Sequence, residues 1–439
     1  MFSLQLFIEN LVSLWAILFF IMRVLIVNTS ENTGGAAVAT NRLKDALNAN
    51  GVQAKMLVRD RLSADPMVET IKKGWRTEWN RLWERWCVFW HLRFQRPNLF
   101  AVDLANAGMD ITKLDAFQQA DIIHLSWINQ GMLSLNSIRK ILQSGKPIVW
   151  SMHDMWQLTG ICHYAYTCNR YTESCGKCSF LGSENADDVS HRVFMKKLEV
   201  YSHAPIHFVA VSNWLADIAR SSRLMKGHAV TTIPNVLSLQ KFIPCDKATS
   251  RTDLGIPNVK VIAFGAARID AEIKGLRYLI AALRHLVDTQ RVKKDEVCLV
   301  LFGGAKSTAL LDDIPVGYKW LGKVSGENNL SKIYSAADVV VSSSMYETFG
   351  QTLIEALACG CVPVSFNNSG QRDIILHKQN GYLAQYGSAE DLAEGIVWAM
   401  NNPISCGELR NSVVTRYSES VVAQQYIELY NSILADKTT

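Results

Sequence analysis

The stretch Glu347-Thr348-Phe349-Gly350-Gln351-Thr352-Leu353-Ile354-Glu355 follows an apolar run, Val339 to Ser342, and opens a helix predicted over Gln351 to Ala358. Strand, glycine turn and helix together form the unit from which parallel α/β sheets are built. Gly350 lets the backbone come close to a ligand. The free amides of the first helical turn, with the helix dipole, make an anion site, so a phosphate fits at Gln351 and Thr352. Glu355, about one turn further in, reaches a hydroxyl pair such as a ribose. Glu347 is left to face whatever is attached beyond the phosphate. Taken alone, the nine residues are equally a helix with an acidic N-terminal turn.

Outward from this stretch the same alternation runs through the chain. Strands are predicted at Val24 to Asn28, Ala54 to Val58, Ile122 to Leu125, Pro147 to Ser151 and His207 to Val211. A second series is predicted at Val259 to Gly265, Val297 to Phe302, Tyr318 to Leu321, Val339 to Ser342 and Val362 to Ser365. Ile233-Pro234-Asn235-Val236 divides the two series, because Pro imposes an extended backbone and a turn. The fold class expected is α/β, with two Rossmann-like domains facing a central cleft. The expected layout is an apolar extension over 1–22, an N-terminal acceptor domain over 23–235, a C-terminal nucleotide-sugar domain over 236–417, and a C-terminal helix over 418–439 packing back on the N-terminal domain. A chain of 439 residues, 49% hydrophobic and 19% charged, has room for two such cores and is too apolar to be disordered.

The context of the opening stretch, Ser344-Met345-Tyr346 before it and Ala356-Leu357-Ala358-Cys359-Gly360-Cys361-Val362-Pro363-Val364 after it, resembles the retaining glycosyltransferases of family four, which have the GT-B fold. The similarity continues through Ala337-Asp338-Val339-Val340, Asn380-Gly381-Tyr382-Leu383, Ile233-Pro234-Asn235, Val211-Ser212-Asn213-Trp214-Leu215 and Gly34-Gly35, so it spans nearly everything from Met22 to Asp436. The resemblance implies transfer from a nucleotide diphosphate sugar to a saccharide or lipid-linked saccharide acceptor, with retention of anomeric configuration. It points to the bacterial enzymes of exopolysaccharide and lipopolysaccharide synthesis, on the inner face of the cell membrane. It implies donor contacts at Arg268, Lys274, Gly350, Gln351, Thr352, Glu355, Gly34 and Gly35, and catalytic roles for Glu347 and for His153, facing the sugar. Asp154 beside His153 would equally orient the loop. Two fixed cations would balance the charge gained by the leaving diphosphate, so no catalytic metal is expected. Six positions separate Arg268 from Lys274, one more than the family pattern, which requires the intervening loop to bulge. A non-catalytic saccharide-binding or scaffold subunit with the same fold is the alternative. A phosphorylase on this fold would want a cofactor lysine that nothing here singles out.

The formal charge is +5, and the segment from Ile71 to Arg96 carries all of it: seven Lys and Arg against two Glu. The same segment holds Trp75, Trp79, Trp83, Trp86 and Trp90, five of the twelve Trp in the chain. On a helical wheel the Trp fall on one face and Arg81, Glu84 and Arg85 opposite. Such a helix either packs in the core or lies at an anionic membrane surface, rings at headgroup depth with Arg76, Arg81 and Arg85 as the cationic fringe. The membrane is the partner expected. Nucleic acid is not, since the charge is confined to one segment and no nucleic-acid motif accompanies it.

Cys162, Cys168, Cys175 and Cys178 lie in one Tyr-, Asn- and Gly-rich stretch and suggest a structural zinc held by four thiolates, with His163 as an alternative ligand. Packed free thiols and a disulfide pair are the other readings. Residues 1–22 contain a clean apolar run of only Leu11 to Met22, a helical rise of about 18 Å against a hydrocarbon core of roughly 30 Å. They are read as an upstream start-codon artefact or, second, a weak anchor.

Overall fold

Val24, Leu25, Ile26 and Val27 are each at most 1% exposed, the uninterrupted burial that a strand covered on both faces requires. The computed structural model describes residues 21–71 and 74–438, so all but the last two positions of the apolar extension lie outside the described residues. Two all-parallel sheets organise the chain. The first contains β1 (Arg23–Ser30), β2 (Gln53–Asp60), β3 (Val68–Thr70), β4 (Ile122–Leu125), β5 (Ile148–Met152), β6 (His207–Ala210) and β7 (Ala229–Thr232), in the order β3-β2-β1-β4-β5-β6-β7. The second contains β8 (Lys260–Arg268), β9 (Val297–Gly304), β10 (Gly317–Trp320), β11 (Val339–Ser342), β12 (Val362–Phe366) and β13 (Tyr382–Ala384), in the order β10-β9-β8-β11-β12-β13. All ten predicted strands are present, with ends within three residues. The three unforeseen ones, β3, β7 and β13, are outer strands of three or four residues, and β3 and β7 are only partly covered.

Each sheet reverses its winding once, between β1 and β4 and between β8 and β11. At such a reversal the loops leave the carboxyl ends of neighbouring strands in opposite directions and open a crevice. Four helices bear on this crevice or on the surface around it: α1 (Gly35–Ala49) after β1, α2 (Trp75–His91) after β3, α3 (Gln351–Ala358) after β11, and α4 (Glu419–Thr438) at the end. The predicted bounds of α3 and of β11 are the observed ones.

Helix α4 returns to the first sheet. Val422, Ala423, Tyr426 and Tyr430 share a core with Val24, Ile26, Leu43 and Leu47. Two tyrosines reach into a buried polar knot, Tyr430 Oη lying 2.6 Å from His124 Nδ1 and Tyr426 Oη 2.9 Å from Ser151 Oγ, which is 2.8 Å from His124 Nε2. Burial pushes the His124 imidazole down to about 3, with His153 nearby adding to the effect. Above about pH 6.5 neither the folded nor the unfolded chain protonates this group. Below it the unfolded chain takes up a proton that the folded one refuses, so stability falls as the pH drops. At pH 5 the expected loss is about 2 kcal/mol relative to pH 7, measured by urea unfolding, and a distinctly shallower loss in His124→Gln.

Candidate active site

The carboxyl ends of β1, β4 and β5 face those of β8 and β11 across a cleft of about 470 Å³, within the range of small-molecule sites. Two helices begin at this cleft. Gly34, at φ 94°, precedes α1, and Gly350, at φ 112°, precedes α3. Both conformations lie where a side chain strains the backbone. A Cβ on Gly350 would also meet Leu353 Cδ1 at 3.1 Å and Ile374 Cδ1 at 3.3 Å. Gly34, Gly35, Gly350, Gln351 and Thr352 all line the cleft, so two sets of unpaired amides and two positive dipole ends converge on one volume. That arrangement suits a ligand carrying more than one anionic charge.

Lys274 and Glu347 form the charged pair of the site, Nζ to Oε2 2.6 Å, both lining the cleft. Main-chain contacts fix Glu347: its N–H donates to Ser369 Oγ at 3.1 Å and its carbonyl accepts from Gly370 N–H at 2.8 Å. His153 lines the opposite wall, and its carbonyl accepts from Thr348 Oγ1 at 2.8 Å across the cleft. Burial pushes its imidazole down to about 4, against the pull of Asp154. It is therefore neutral near pH 7, able to donate from one ring nitrogen and accept at the other. Asp154 has its carboxylate committed to the loop: Oδ2 lies 2.8 Å from Trp127 Nε1 and from His163 Nδ1, and Oδ1 accepts from Trp156 N–H.

Two expected donor contacts are placed differently. Arg268 does not line the cleft; it is half-exposed and forks onto Asp270, with contacts of 3.0 and 3.2 Å, because the pairing of β8 with β9 slips between Gly265 and Arg268. The bulge demanded by the extra residue is present, and it turns the arginine away. Glu355 is 5% exposed and does not line the cleft either. Its Oε1 accepts from Arg42 at 2.8 Å and its Oε2 from Tyr334 Oη at 2.9 Å. Burial raises its carboxyl, against the pull of Arg42 and Tyr334.

The zinc expectation is also corrected. Cys162 lies in the core and Cys168 on the surface, and among the described residues no three Cys, His, Asp or Glu are placed to hold a metal ion. Burial pushes the Cys175 thiol up to about 12 and Cys162 higher still. Cys175 Sγ accepts from Gly160 N–H at 3.1 Å, and His163 is held by Asp154. Cys162 and Cys175 are packed, protonated thiols.

Helix α2 is turned inside out relative to an ordinary surface helix. Trp75, Trp79, Trp83, Trp86 and Trp90 are 42–73% exposed, joined by Leu82, Phe94 and Phe100. The charged face is the buried one. Glu84, fully buried, accepts from Ala105 N–H at 2.6 Å, and Arg85 pairs with buried Asp103 at 2.8 Å. Arg85 is thus removed from the expected cationic fringe, Arg81 is paired with Glu78 at 2.9 Å, and Arg76, Arg93 and Arg96 remain exposed. The indoles stack on one another, Trp79 on Trp83, Trp83 on Trp86 and Trp86 against Trp90, at 5.4–6.2 Å with interplanar angles of 17–33°.

Two family descriptions match the chain in succession: Glycosyltransferase Family 4 over residues 33–241 and Glycosyl transferases group 1 over residues 246–416. The chain is a GT-B glycosyltransferase. It is 25% identical over 360 residues to an uncharacterized glycosyltransferase of Methanocaldococcus jannaschii, covering 75% of this chain and 89% of that one. Among solved structures the fold is shared with sucrose-phosphate synthase from Thermosynechococcus elongatus (TM-score 0.65, 20% identity, 94% and 100% of the two chains). It is shared also with Anabaena HepE in complex with UDP-glucose (TM-score 0.60, 16% identity, 94% and 100%). The protein is an enzyme of the hexosyltransferase type. Among the described residues of this glycosyltransferase, the cleft walls also include Trp127, Tyr164, Asn235 and Thr348, to which the sequence assigned no role in the site. Thr348 lies inside the quoted motif, and Tyr164 lies in the Cys-rich stretch, whose aromatic content was the available signal.

Proposed function

We propose that this glycosyltransferase moves a sugar from a nucleotide diphosphate sugar to a lipid-linked saccharide at an anionic membrane surface, with retention of configuration, in surface polysaccharide synthesis. The observation that carries the donor reading is the convergence of two helix N-termini and the Lys274–Glu347 pair on one cleft at the winding reversals of both sheets. The diphosphate would lie at Gly34, Gly35 and Gly350 to Thr352, with Lys274 on the leaving oxygens. Glu347 and neutral His153 would hold sugar hydroxyls from opposite walls. The acceptor oxygen attacks the anomeric carbon on the face the phosphate leaves, and its proton passes to the departing phosphate oxygen, so no protein base is needed.

The membrane reading rests on α2. Aromatic platforms for sugar chains need free ring faces, whereas Trp79, Trp83 and Trp86 stack on one another. Half-exposed indoles with Arg76, Arg93 and Arg96 exposed nearby suit lipid headgroups. The test of the whole reading is a panel of nucleotide sugars assayed for nucleotide release, with and without membrane lipid extract, and the anomeric configuration of the product read by NMR. Lipid-dependent release with a retained anomer is the expected result. An inverted product would remove the stereochemical claim, and silence with every donor would remove the reading itself.

A further inference from the structure

Arg42 projects from α1, is 5% exposed, and makes its strongest contacts with the other half of the molecule. Its Nη2 donates to Glu355 Oε1 at 2.8 Å, 313 residues away, and its Nε to Glu327 Oε1 at 2.9 Å. The guanidinium lies 5.0 Å over the Phe242 ring. Lys241 Nζ closes the set at 2.8 Å from Glu327 Oε2, so two cations face two carboxylates. Burial works against the Arg42 charge, and Glu355 and Glu327 more than offset it, holding its pKa above the ordinary value. Nη1 is buried without an acceptor among the described residues, a deficit that a water or a ligand oxygen arriving beside Glu355 would relieve.

The position of this clasp gives it meaning. Arg42 lies eight residues after Gly34, about 12 Å along α1, and Glu355 lies one turn into α3. The helices it joins are the two whose N-termini face the cleft. Their spacing decides whether both can contact one diphosphate, and the clasp is the buried ion pair between them.

We infer that Arg42 is a positioning residue for donor binding: by pairing with Glu355 across the domain boundary it sets the separation of the two phosphate-facing helices and couples donor affinity to domain closure. The inference rests on the donor reading above. With the tetrad intact, nucleotide binding and closure are one event. Without Arg42, Glu355 keeps the Tyr334 hydroxyl but loses its buried counter-charge, and the two helices lose the ion pair that fixes their spacing.

The test uses the full chain, with UDP and GDP as probes in calorimetry and X-ray scattering as the measure of closure. Arg42→Gln is expected to weaken nucleotide binding about tenfold or more, to raise the KM for donor more than it lowers kcat, and to abolish ligand-induced compaction. Arg42→Lys should recover part of the affinity, since it keeps the charge and loses the fork. The double variant Arg42→Gln/Glu355→Gln should bind no worse than Glu355→Gln alone, because Arg42 acts through Glu355. Should Arg42→Gln destabilise the fold, Glu327→Gln, which keeps the Glu355 contact, supplies the same comparison with a smaller expected loss. Wild-type affinity and compaction in Arg42→Gln, or strictly additive losses in the double variant, would overturn the inference. Failure of the folded wild type to bind either nucleotide would count against the donor reading instead, and a wild-type scattering profile in Arg42→Gln would then still decide against the clasp.

Discussion

Lys274→Ala is expected to reduce sugar transfer by about a thousandfold while the protein stays folded. Among the described residues lining the cleft, Lys274 is the only Lys or Arg, because Arg268 is turned onto Asp270. A diphosphate gains charge as the glycosidic bond breaks, and on the proposed donor reading one ammonium and two helix ends would stabilise it. Removing the ammonium also leaves the Glu347 carboxylate facing that charge without its partner at 2.6 Å. The structural cost is small, since the pair is partly solvated and such ion pairs contribute at most about 1 kcal/mol to stability. Glu347→Gln should match Lys274→Ala in lost turnover, with an unchanged melting temperature in both. Steady-state kinetics beside thermal melts decide the matter, and near-native turnover in either variant would refute the assignment of this cleft as the transfer site.

The second large effect belongs to the Trp ladder. Replacing Trp79, Trp83 and Trp86 with Ser is expected to cut binding to anionic phospholipid vesicles by about a hundredfold or more, at roughly 1–2 kcal/mol for each half-exposed indole. Nucleotide release in solution should be unaffected, because none of the three lines the cleft. Arg76→Glu/Arg93→Glu/Arg96→Glu should weaken binding to anionic vesicles and leave the weaker binding to neutral ones unchanged, a difference that salt should erase. Vesicle sedimentation reads both variants. Equal sedimentation of wild type and Trp variant would show that the ladder faces something other than lipid.

The central strands and α3 were legible because their signals are local. Val339 to Ser342 is a continuous apolar run, and Gly350 marks the helix start at a single position. Three of the four outer strands, β3, β7 and β13, were not, because an edge strand needs neither two apolar faces nor much length. Helical periodicity separated the two faces of α2 correctly but could not say which one turns inward. That was decided by Asp103, eighteen residues after Arg85, and by the amide of Ala105 waiting for Glu84. Arg268 follows a residue type and a rough spacing, and a slip in strand pairing that no local pattern announces sets its side chain on Asp270. Cysteine spacing suggested zinc, but spacing along the chain does not fix whether one thiol is in the core and the next on the surface. Arg42 left only a faint trace, a charged residue on the apolar side of α1. Its partners come from the far half of the sequence, where no local pattern could name them.

The return of α4 to the first sheet also bears on how the protein is made. His124 and Ser151 are hydrogen-bonded to Tyr430 and Tyr426, near the end of the chain. Chains are synthesised from the N-terminus, and early domains ordinarily fold as they emerge. Here the first domain leaves the ribosome with an apolar groove over Val24, Ile26, Leu43 and Leu47 and with His124 bonded to Ser151 at one ring nitrogen but lacking the Tyr430 partner at the other. It is completed by α4, which is translated only after the whole second sheet, so the half that is born first waits for the other before it is finished.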